Sequence, residues 1–123
     1  FCMKKKKLIN SFKYAFVGIF SALKKEQNLK IHFSIMALVI IFGFLLNIKR
    51  WEWFVCICLF GMVISAEMFN TAIEGIVDVI MPEKNDKAKF IKDVSAGAVL
   101  ALAIAAFVIG ILLFVPKIML LFK

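Results

Sequence analysis

The chain has 123 residues, 63% of them hydrophobic, and a formal charge of +8. Its mean hydropathy of +0.97 is too apolar for a water-soluble domain and normal for a small polytopic membrane protein. In such a protein the basic excess points to an anionic membrane leaflet rather than to nucleic acid, and no zinc pattern or soluble helix-turn-helix is present to argue otherwise.

The opening "FCMKKKKLIN" places Lys4 to Lys7 before a stretch, "LINSFKYAF", whose apolarity is broken by Ser11 and Lys13. It lacks the apolar core and small-residue site of a cleaved signal, so none is expected. Lys4 to Lys7 read as charge that meets lipid headgroups. Residues 8–29 are amphipathic: Leu8, Phe12, Ala15, Phe16, Ile19 and Leu23 recur at helical spacing, and Lys13, Lys24 and Lys25 interrupt them. The pattern predicts a helix lying in the membrane interface.

Residues 31–48 carry one ionisable group, His32, at their edge and are just long enough to span. "KRWEW" then makes a short turn, with Trp51 and Trp53 expected as boundary anchors. Residues 53–81 form a second long apolar segment stopped by Pro82. Residues 83–93, "EKNDKAKFIKD", read as a charged loop, and 94–115 as a third span that Pro116 and Lys117 end. Gly18, Gly97 and Gly110 are expected at close helix contacts. Cys56 and Cys58, spaced C-x-C, match neither a zinc site nor a redox motif and read as packing or lipid-facing residues. Eight lysines precede the first span and four lie between the second and third, against four basic residues elsewhere. This asymmetry predicts a cytoplasmic N-terminus and an external C-terminus.

The second span holds an anomaly. Glu67, Asn70, Glu74 and Asp78 fall within about an 80° arc of a helix, with Thr71 at its edge. A carboxylate near the bilayer centre costs ~2.5–3.5 kcal/mol, so such a stripe must meet cations, donors or water. A polar seam between subunits is one reading, and a non-enzymatic proton or cation pathway is another. With Glu26, Lys92 and Asp93 expected near the same membrane face, a third reading is a site for Mg²⁺ and a polyphosphate. No glycine-rich phosphate loop is present, which excludes a P-loop kinase.

The exact residues go further. "E-M-F-N-T-A-I-E-G-I-V-D" at 67–78, "A-K-F-I-K-D-V-S-A-G-A-V" at 88–99 and "Y-A-F-V-G-I-F-S-A-L-K-K-E-Q-N-L-K-I-H" at 14–32 resemble the small integral-membrane diacylglycerol kinase family, which includes the undecaprenol kinases of Gram-positive bacteria. The resemblance implies an all-α fold of three spans plus an amphipathic surface helix, assembled as a homotrimer with active sites shared between subunits. It implies transfer of the γ-phosphoryl group of ATP to a lipid hydroxyl at the cytoplasmic face of the cell membrane.

By this resemblance Glu67 is the general base and Asn70 belongs to the same catalytic cluster, both of them touching the lipid substrate. Glu26 and Glu74 are the ligands of Mg²⁺ bound with ATP. Tyr14, Lys92 and Asp93 contact the nucleotide, with Lys92 near the phosphates. Lys7, Asp78, Glu83, Lys84 and Asn85 match nucleotide contacts more loosely, and Asp78 could instead hold Lys92. His32 is expected as an ordinary hydrogen-bonding residue of the interface. The "E-x-N-x-x-I-H" segment from Glu26 to His32 and the run after Pro82 resemble the Gram-positive branch, so undecaprenol is the expected acceptor and diacylglycerol the alternative.

Overall fold

The computed structural model describes residues 2–122, with side chains from Lys5 onward, so Lys123 and the side chain of Lys4 lie outside the described residues. Among the described residues four helices follow one another: α1 (Cys2–Lys25), α2 (Gln27–Leu45), α3 (Arg50–Ile80) and α4 (Asp86–Leu121). The last three are long and apolar enough to cross a membrane. At 1.5 Å per residue, α3 and α4 run about 46 and 54 Å, well beyond a hydrocarbon core of ~30 Å. Their polar ends therefore reach past it. Large apolar side chains such as Leu38, Phe54, Leu100, Phe107 and Leu112 stay exposed along the helices. That is the surface of a chain whose solvent is lipid.

The helix bounds differ from the sequence expectation, for local reasons. α1 starts well before residue 8, because lysine is a good helix former and nothing breaks the run from Cys2 to Lys25. The break comes at Glu26, whose extended backbone (φ −98°, ψ 119°) separates α1 from α2. The charged segment 83–93 is mostly helix rather than loop. Asn85 supplies the reason: its Oδ1 accepts the Ala88 N–H at 2.7 Å, an N-cap that starts α4 at Asp86. Nor does Pro116 end the third span, because α4 continues to Leu121. One missing N–H is tolerated where the next residue, Lys117, is tied to α3.

The α2–α3 connection is tight. Asn47 takes a left-handed backbone (φ 52°), a conformation asparagine tolerates, and the Ile48 N–H donates back to the Gly43 carbonyl at 3.1 Å. Trp53 is more than a boundary anchor. A Cβ on Gly43 would lie 2.6 Å from its Cη2, and its ring sits 4.9 Å from that of Phe44. Gly43 is thus the glycine that close packing requires. Within one chain, the space that a Cβ would enter at Gly18, Gly97 and Gly110 is open, and at Gly110 that space borders a cavity between the helices. Trp51 is exposed, as is Cys58, while Cys56 is buried.

α3 and α4 form the main packing layer. The buried residues of α3 are Glu52, Cys56, Val63, Glu67, Asn70 and Val77, a succession of heptad-like steps along one face. They meet a face of α4 marked by Ala88, Ser95 and Val99. Glu52 is 3% exposed and is held twice: Oε1 accepts the Lys49 N–H at 3.1 Å and the Lys117 ammonium at 2.9 Å. Removing one partner of a buried pair strands the other charge. Lys117→Met is therefore expected to lower stability by about 3 kcal/mol, measured by chemical unfolding in detergent. The double variant Glu52→Gln, Lys117→Met is expected to lose less than the single one, since no charge is then left stranded.

Candidate active site

The polar stripe of α3 lies partly in this packing seam and partly outside it. Glu67 and Asn70 are buried, Glu74 is half-buried and Asp78 is exposed. The buried arc and the polar arc coincide at Glu67 and Asn70. They diverge towards the end of the helix, where Val77 faces the seam and Asp78 points out. The stripe thus passes from the interior to the outside along three helical turns.

Glu67 is 2% exposed, and its carboxylate takes no hydrogen bond from any described residue. Thr71 Oγ1 donates to the Glu67 backbone carbonyl at 3.0 Å, which satisfies the hydroxyl locally. His32 of α2 brings Nε2 to 3.9 Å from Glu67 Oε2. One turn on, Asn70 Nδ2 donates to Glu74 Oε1 at 3.3 Å, which orients both side chains. The other amide atom, Asn70 Oδ1, is buried without a partner. A native buried acceptor left open is an invitation to a donor from outside the chain, such as a hydroxyl.

Further along, Asp78 accepts from Lys92 of α4 at 2.5 Å, so of the two roles considered for Asp78 the structure shows the tie to Lys92. Asp93 pairs with Lys89 at 2.7 Å, one turn back on α4. Asn85 is engaged as the α4 cap. Tyr14 is 70% exposed, and Lys7, Glu83 and Lys84 are exposed as well. None of these four, nor the half-buried Glu26, has a side chain that bonds to another described residue. One chain thus brings together Glu67 with His32, Asn70 with Glu74, and Asp78 with Lys92. It leaves Lys7, Tyr14, Glu26, Glu83 and Lys84 open, and among the described residues no three ligating side chains gather into a metal site.

An apolar cavity of about 550 Å³ opens between α2, α3 and α4, and its walls do not include Glu67. His32 lines it, with Val39, Phe60, Val63, Phe107 and Phe114 among its other walls. Sequence reasoning missed three features here: the cavity, the approach of His32 to Glu67 and the buried Ser95. The heptad spacing from Cys56 to Val77 was the signal that the polar stripe is also a packing seam.

Comparison with known proteins decides the family. The pattern that describes prokaryotic diacylglycerol kinases matches residues 13–114. The chain belongs to the prokaryotic diacylglycerol kinase family. It is a membrane protein and a lipid kinase. It is 38% identical over 111 residues to an undecaprenol kinase of Bacillus subtilis (strain 168), covering 90% of each chain. It is 35% identical over 113 residues to a diacylglycerol kinase of Synechocystis sp., covering 91% of this chain and 65% of that one. It is also 33% identical over 108 residues to a diacylglycerol kinase of Haemophilus influenzae, with 87% and 92% covered.

The absence of a hydrogen bond on the Glu67 carboxylate has a consequence for stability. Glu67→Gln keeps the side chain's shape and removes a buried charge. Its unfolding free energy in detergent is expected to equal or exceed that of the wild type. A loss of more than about 2 kcal/mol would show instead that the carboxylate holds the seam together.

Proposed function

We propose that the protein transfers the γ-phosphoryl group of ATP to the hydroxyl of undecaprenol at the cytoplasmic face of the cell membrane. The observation that carries this reading is Glu67: a buried carboxylate with no hydrogen bond from any described residue, one helical turn before a buried amide oxygen that also lacks a partner, in a lipid kinase. The 38% identity to an undecaprenol kinase supports undecaprenol over diacylglycerol, which is the second reading.

In this scheme the lipid stays in the membrane, with hydrocarbon against the apolar walls between α2, α3 and α4. Its hydroxyl docks by donating to Asn70 Oδ1 and, for the transfer, turns that single proton to Glu67. As the hydroxyl oxygen attacks the γ-phosphorus, Glu67 takes that proton as general base, and the bond to the β-phosphate oxygen breaks to release ADP. Asn70, through its bond to Glu74, keeps the acceptor and the second carboxylate in register.

Glu26 and Glu74 are the residues that would hold Mg²⁺. They offer the hard oxygen donors the ion prefers, and two protein ligands are enough when phosphate oxygens and water complete its shell. When bound, Mg²⁺ offsets the charge of the phosphates. Lys92 stands ready to do the same from the water-facing cytoplasmic end of the seam, with Asp78 fixing its side chain. Tyr14 and Asp93 contact the nucleotide, and Lys7, Glu83, Lys84 and Asn85 border it.

Because one chain leaves Glu26 and Tyr14 without partners, the reading includes a homotrimer whose sites are shared between neighbours. α1 lies in the cytoplasmic interface as an amphipathic surface helix, which puts the N-terminus inside and the C-terminus outside.

The test is phosphate transfer from ATP and Mg²⁺ by the purified protein in detergent, with undecaprenol and diacylglycerol offered in parallel. Transfer chiefly to undecaprenol is expected. Transfer chiefly to diacylglycerol would keep the chemistry and replace the substrate. Transfer to neither, with both lipids dispersed, would contradict the reading and favour an ion pathway along the stripe.

A further inference from the structure

A buried base must also lose the proton it takes. Glu67, at 2% exposure, cannot hand it to bulk water directly. Its neighbours along α3 offer little: Asn70 and Thr71 are not basic, and Asp78 with Lys92 lies about 16 Å further along the helix. Glu74 is a turn away and bound to the Asn70 amide. His32 is different. Its Nε2 lies 3.9 Å from Glu67 Oε2, its side chain is 19% exposed, and the ring forms part of the cavity wall.

We propose that His32 is the proton relay that resets Glu67 between turnovers, a role resting on the reading of Glu67 as general base. The lipid O–H bond breaks and its proton goes to the Glu67 carboxylate, while the new bond to phosphorus forms and ADP leaves with the electron pair. The carboxylic acid then gives the proton to the lone pair of Nε2 on the neutral imidazole. The imidazolium releases one proton to water at its exposed edge, and Glu67 returns to its carboxylate form. A shift of about 1 Å in either side chain closes the present gap to hydrogen-bond range, a tightening common when substrate binds. Imidazole suits the task because it gains and loses a proton easily near neutral pH.

The experiment compares the full-length wild type with His32→Ala, His32→Asn and Glu67→Gln, using ATP, Mg²⁺ and whichever lipid the wild type phosphorylates. Both His32 variants are expected to lose roughly 10- to 100-fold in kcat, with KM for ATP and for lipid within about two-fold of wild type. Added imidazole is expected to restore much of the His32→Ala rate. The inference is overturned by an unchanged kcat in His32→Ala. A wild-type rate in His32→Asn also overturns it, since that would mean hydrogen bonding alone suffices. So does a loss that imidazole leaves untouched, which is the signature of a damaged fold. Full activity in Glu67→Gln would refute the general base itself, separately from the relay.

Discussion

A carboxylate carried into hydrocarbon has to be covered, and the structure is organised around covering Glu67. An apolar α3 could face lipid on any side, but an α3 with Glu67 and Asn70 in its middle cannot. The heptad-like face from Glu52 to Val77 buries both residues, with His32 of α2 3.9 Å from the Glu67 carboxylate. The seam covers Glu67 without a hydrogen bond to its carboxylate, and one turn on Asn70 keeps a buried amide oxygen without a partner.

The seam is pinned at both ends by ion pairs between α3 and α4. Glu52 with Lys117 closes one end, and Asp78 with Lys92 the other. Along α3 the two carboxylates are about 39 Å apart, more than the ~30 Å hydrocarbon thickness, so the pairs bracket the membrane core. They are not equivalent. The first is buried, and breaking it strands a charge. The second is largely exposed, contributes little to stability, and leaves Lys92 close to water. One end of the seam is thus tightly held, and the other is open to water.

Much of this was legible in the sequence. Three apolar segments and one polar stripe at helical spacing gave the spans and drew attention to Glu67, Asn70 and Glu74, and the motif between Glu67 and Asp78 carried the family. What escaped were effects that depend on a single local bond or a distant partner. Asn85 looks like one more polar residue in a charged run, yet its cap converts eight residues of expected loop into helix. Pro116 reads as a stop, and the tie from Lys117 to Glu52, more than sixty positions away in the chain, carries the helix past it. Glycine composition cannot tell Gly43, pressed against Trp53, from Gly97 in open space. His32 reads as a boundary residue until the packing of α2 on α3 brings it to Glu67.

The account turns on Glu67 acting as a base rather than as a packing residue. The most direct measurement is single-turnover transfer of the γ-phosphoryl group from ATP to lipid by Glu67→Gln protein whose folding has been verified. A fall of about 100-fold or more relative to wild type, with ATP still bound, is the result the account requires. Transfer at close to the wild-type rate would contradict it, and the polar stripe would then be a seam between helices and nothing more.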